Sequence, residues 1–130
     1  MEQKIASSLE FLEYIPRQSI CFISKGRLEN VLMREIIHIE KVSTDTLIRT
    51  RQQEFITYHS LQELLRELPE NEFARVHRSH IVSLAAVDGF RGDYIRLDKR
   101  KVPLTEYYKK QLKIKLGRIL EQQYAGFQAI

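Results

Sequence analysis

The chain has 130 residues, 43% hydrophobic and 29% charged, which suits one globular domain with a real core and excludes a disordered or low-complexity chain. No apolar run approaches the ~20 residues of a membrane span, and Met1-Glu2-Gln3-Lys4 does not begin a secretory signal, so no membrane insertion and a cytoplasmic location are expected. The net charge of +4 is uneven: residues 75–118 carry a net +8, leaving −4 for the rest. A concentrated basic block is the pattern of a polyanion binder, because neutralising phosphates releases counterions; on charge alone, solvated strand and helix faces account for it equally well.

Ile5, Leu9, Leu12 and Ile15 predict an amphipathic leader helix over residues 1–18, ended by Pro16. A domain over 19–122 and a tail over 123–130 follow. Ser19–Lys25 and Leu28–Met33 predict strands about a Gly26-Arg27 turn, with the single cysteine, Cys21, expected to be buried. Ile36–Glu40, Thr46–Thr50 and Phe55–His59 predict three more strands. Ser60-Leu61-Gln62-Glu63 is a capping box, opening a helix with the stripe Leu61, Leu64, Leu65, Leu68 that Pro69 stops. Strands are then predicted at Phe73–His77, Ile81–Leu84, Val87–Arg91, Tyr94–Leu97 and Lys101–Leu104. A last helix starts at Thr105 and carries Tyr108, Leu112, Leu116, Ile119 and Leu120 on one face. Many short strands with few helices indicate a mostly β, α+β fold with antiparallel sheets.

Neither metal chemistry nor catalysis is expected. His77 and His80 are three apart, and in a continuous strand they would point to opposite faces. His38 and His59 lie in other segments without carboxylates at ligand spacing. Ser79 lacks a glycine-framed elbow and an acid partner, and the chain has no glycine-rich phosphate loop. The chain is therefore read as a non-enzyme without a cofactor.

The run Phe73-Ala74-Arg75-Val76-His77-Arg78-Ser79-His80-Ile81-Val82-Ser83 strongly resembles the Phe-x-Arg-Val-His-Arg-Ser-Tyr-Ile-Val-Asn core of the LytTR DNA-binding domain of bacterial transcription regulators. Ile36–Glu40, Ser60–Leu68 and Val102-Pro103-Leu104-Thr105 are similar to three further segments of that family, so the resemblance covers about residues 20–118. It implies an elongated antiparallel β fold that places loops in successive major grooves of double-stranded promoter DNA, usually at paired repeats. Three DNA-contacting places follow from it. The first is the loop with Ser43, Thr44 and Thr46, and the second is His77, Arg78 and Ser79, where the arginine fork matches guanine O6 and N7. The third is the start of the last helix, with Glu106, Tyr107, Lys109 and Lys110. Glu106 departs from the basic residues common there: it can accept from a cytosine N4 amine or complement the positive end of the helix dipole, and the second role is preferred. His80 and Ser83 stand where the family has tyrosine and asparagine.

The resemblance also implies a two-component response regulator whose receiver domain precedes the DNA-binding unit. Residues 1–18 are too short for one, so a free-standing regulator or a piece of a longer one is expected. Homodimeric or tandem binding on DNA and a sensor or regulatory protein partner are further expectations. The alternative is a protein-interaction module of a signalling system with weak or lost DNA binding. An RNA-binding role ranks third, because Phe22, Phe55, Phe73 and Tyr94 alternate as core residues would.

Overall fold

The computed structural model describes residues 18–124; the leader expected over 1–18 lies outside them except for Gln18. The strands are β1 (Ser19–Ser24), β2 (Arg27–Leu32), β3 (Ile36–Val42), β4 (Asp45–Thr50), β5 (Glu54–Thr57), β6 (Phe73–His77), β7 (His80–Ser83), β8 (Val87–Arg91), β9 (Tyr94–Leu97) and β10 (Arg100–Pro103). Helix α1 (Leu61–Glu67) follows β5, and α2 (Glu106–Tyr124) follows β10. The mostly antiparallel β architecture agrees with the sequence reading. Short 3-10 turns at Met33–Glu35 and Leu84–Ala86 precede β3 and β8 and were not predicted.

A five-stranded sheet in the order β5-β4-β3-β7-β6 forms the centre, with a β1-β2 hairpin and a three-stranded β10-β9-β8 sheet beside it. Strand β3 contains the near-continuous apolar run Ile36-Ile37-His38-Ile39, the pattern of a strand covered on both faces. On one face Ile39 lies between Ile48 and Ile81, and these pack with Ile20, Phe22 and Val31 of the first hairpin and Leu61, Leu64 and Leu68 of α1. On the other face Ala74, Val76 and Val82 meet Ile95, Leu97 and Val102 of the small sheet and Leu112 of α2. Two cores thus share one sheet, and Leu120 of α2, expected on the apolar face of that helix, is left exposed.

Cys21 is not buried. Alternation along β1 turns Ile20, Phe22 and Ser24 inward and leaves Cys21 exposed, where its thiol lies 3.2 Å from Asn30 Oδ1. The predicted strand through His59 ends at Thr57. His59 instead sits before α1, with its Nδ1 3.1 Å from Glu63. Ser60 caps α1 as expected, its Oγ accepting from the Glu63 N–H at 3.1 Å. Ser60→Ala therefore lowers stability by about 1 kcal/mol, read as a lower urea midpoint at unchanged slope, while Ser60→Asp retains most of it.

Candidate nucleic-acid interface

Strands β6 and β7 pair as a hairpin with His77 opposite His80, so Arg78 and Ser79 form a two-residue turn and are not strand residues. The expectation that His77 and His80 face opposite ways is corrected by that turn, which sets them across from each other. A register shift between Arg75 and His77 marks a bulge. Val76 follows Ala74 into the second core by simple alternation, and the bulge re-aims His77 to that same face, toward His80. The turn backbone is held from three sides. The Ser79 N–H donates to His77 Nδ1 at 3.0 Å, Arg75 Nη2 donates to the Arg78 carbonyl at 2.5 Å, and the Lys41 N–H donates to the Ser79 carbonyl at 2.9 Å. The Arg78 side chain is left exposed at the tip.

The other expected contact places lie beside this turn. Ser43 and Thr44 link β3 to β4 and are exposed, Ser43 with a left-handed φ of 57°. Because Lys41 bonds to Ser79, this turn and the Arg78-Ser79 turn share one end of the central sheet. Thr46 departs from the expectation: it is 3% exposed, inside β4 opposite Thr57, and so is covered from any ligand at this surface. Helix α2 lies along β6, its direction set by two bonds. The Thr105 N–H donates to the Val76 carbonyl at 3.1 Å, and Lys115 Nζ donates to the Phe73 carbonyl at 2.6 Å. The helix therefore runs opposite to β6 and brings its N-terminus to the turn end of the sheet.

Glu106 opens α2, Tyr107 is 67% exposed and Lys110 is exposed, while Lys109 is half-buried. Tyr107 and Tyr108 meet edge to face at 4.9 Å. The Arg75 guanidinium lies 5.8 Å from the centre of the Tyr108 ring, so one side chain touches both the turn and the helix start. The sequence left Arg75 equally open to a cross-strand pair, since simple alternation does not foresee the bulge beside it.

Behind the turn is a histidine column that spacing did not reveal, because its members are 42 positions apart. His38 Nε2 and His80 Nδ1 are 2.9 Å apart with their rings stacked, and His77 tilts against His80 at 5.1 Å. Burial, then the neighbouring His80 and Arg49, lower the pKa of His38 from 6.5 to about 3, against a smaller opposing effect of Glu40. Burial also lowers His80, helped by His77 and Arg49 and opposed by Glu40. Arg49 bridges Glu40 and Glu54. Burial alone would raise the Glu40 carboxyl, but the Arg49 bond and charge outweigh it and hold it below the ordinary range.

A mostly antiparallel β domain that gathers two turns and a helix start at one end of a sheet defines a loop-presenting class of fold. The model of the LytTr DNA-binding domain family matches residues 26–117, and the chain belongs to that family. That family is a DNA-binding domain and not a catalytic one. The chain is 32% identical over 95 residues to the sensory transduction protein LytT of Bacillus cereus, covering 68% of this chain and 38% of that protein. It is 32% identical over 66 residues to the transcriptional regulatory protein NatR of Bacillus subtilis, covering 51% of this chain and 28% of that protein. The chain thus spans well under half the length of these curated relatives. A solved LytTr DNA-binding domain from Bacillus cereus has the same fold, with a TM-score of 0.69 at 21% identity, covering 78% of this chain and 99% of that one. Among the described residues no helix is long and apolar enough to cross a membrane.

The His38 shift has a definite sign. The folded state resists protonation that the unfolded chain accepts below its ordinary 6.5, so this contribution is full above 6.5 and is lost as pH falls toward about 3. We expect His38 imidazole resonances to stay flat between about pH 5 and 8, and the urea midpoint to fall as pH drops below that range.

Proposed function

We propose that the chain is a sequence-specific reader of double-stranded promoter DNA that acts as a transcription regulator through its turns and the start of α2, without a recognition helix lying in a groove. The observation that carries this reading is the convergence of the exposed Ser43-Thr44 turn, the Arg78-Ser79 turn and the first turn of α2 at one end of the central sheet. Family membership supports DNA as the ligand. The β6-β7 hairpin is part of the five-stranded sheet, with β7 paired to β3 up to the turn, so the groove contact falls to the Arg78-Ser79 turn at the sheet's end and not to an inserted ribbon.

In this reading Arg78 makes the direct base contact, its fork bidentate to guanine. His77 and Ser79 bond to each other and shape the turn, while Ser43 and Thr44 offer hydroxyls to phosphate. Lys110, with Lys109, contacts phosphate on the side of α2. Glu106 serves the α2 dipole, and Tyr107 stands exposed beside it. Thr46 has no part in the contact. Two copies on paired repeats would set the operator length, and the protein would act where promoter DNA lies, in the cytoplasm.

The second reading, a protein-interaction module of a signalling system, draws on the outward apolar residues Ile23, Leu28 and Leu32 of the first hairpin, which are 43%, 71% and 39% exposed. Selection of a randomised duplex pool by the purified chain separates the two. We expect a repeated motif to be enriched, and Arg78→Ala to blur one base position per repeat at a cost of about 1–3 kcal/mol. No enrichment would overturn sequence-specific reading and favour the interaction module. On the selected duplex, Lys110→Ala should weaken all sequences alike and reduce the salt slope by about one, measured as affinity across a salt series.

A further inference from the structure

We infer that His38, His80 and Glu40 form a binding site for a divalent transition-metal ion of the zinc class, set one residue behind the Arg78-Ser79 turn. One ligand atom from each of the three side chains lies within 4.8 Å of the other two. Strand register makes the juxtaposition, since Glu40 pairs with His80 across β3 and β7, and His38 lies two residues along β3 on the same face. Two imidazoles and a carboxylate, with a fourth position left for water, are an accepted donor set for zinc. Ligand atoms about 2.0–2.2 Å from a tetrahedral ion lie roughly 3.3–3.6 Å apart. The two histidine nitrogens, now 2.9 Å apart, need to open by only a fraction of an ångström.

The chemistry of the three groups suits a cation. Both imidazoles resist protonation in this setting, which keeps lone pairs available near neutral pH. The carboxylate of Glu40 is ionised and steadied by Arg49 at one oxygen, which leaves the other for the ion. The N–H hydrogen between His38 Nε2 and His80 Nδ1 belongs to one ring or the other according to tautomer. An ion entering there takes its place, and His38, ligating through Nε2, then carries its hydrogen on Nδ1, a buried atom without a hydrogen-bond partner. That N–H would then lack an acceptor, and Arg49 adds positive charge, so the affinity falls below that of sites with a complete outer shell. Occupancy would tie β3 to β7 at the base of the turn that carries Arg78.

The test needs no DNA, so it stands apart from the outcome of the duplex selection. The chelator-stripped chain is titrated with Zn2+ by calorimetry and with Co2+ by visible absorption, with far-UV circular dichroism confirming that each variant is folded. We expect one ion per chain. His80→Gln and Glu40→Gln should each lower the affinity about tenfold or more, and His59→Gln, at the exposed His59–Glu63 pair, should leave it unchanged. No saturable binding, an affinity unchanged in His80→Gln or in Glu40→Gln, or loss only in His59→Gln would each overturn the site.

Discussion

Strand β3 must be covered on both faces, and the rest of the domain is arranged to do it. Its backbone is paired to β4 on one side and β7 on the other, so only its two faces remain to be shielded from water. The first hairpin with α1 covers one, and the three-stranded sheet with α2 covers the other. Each layer is too small to hold a core alone, but each supplies apolar side chains to a face that the central sheet holds rigid. Fully burying a side chain such as Ile39 or Ile48 contributes about 1.5–3 kcal/mol, which makes the shared sheet the main source of stability for both layers.

That arrangement also explains where contact groups can stand. Beyond the cover of the small sheet, the second face of the central sheet becomes polar, and Glu54, Arg49, Glu40, His38 and His80 follow one another across it. Ion pairs satisfy the charged members, with Arg100 reaching Glu54 at 3.6 Å from the neighbouring layer. The histidines are satisfied mainly by one another. This polar strip ends at the Arg78-Ser79 turn, so the turn is backed by side chains with little freedom to move. The base contact proposed for Arg78 would benefit from such backing, because positional error in its support is lost directly as discrimination.

Arg75 links the parts of that surface. Its guanidinium bonds to the Arg78 carbonyl and lies over Tyr108, while the backbone bond from Thr105 to Val76 fixes the start of α2 to the same strand. The turn and the helix start are therefore one rigid edge built on β6. The bulge at Val76 makes this possible by letting one strand feed the core, the histidine column and the helix within three residues.

The sequence by itself determined the class of fold, most of the strands, the capped short helix and the family, because these rest on local signals: alternation, a capping box, a proline stop and one distinctive motif. It also marked Arg78, Ser79, Ser43, Thr44 and the start of α2 as a set. Only the tertiary structure decided that His77 and His80 meet across the Arg78-Ser79 turn, that Cys21 faces out and that Thr46 faces in. The physical reason is that a strand's period of two says which residues share a face but not which face is covered, and a single bulge inverts the count. The meeting of His38 with His80 was out of reach for the same reason, since it depends on the register between strands far apart in the chain, which no local spacing records.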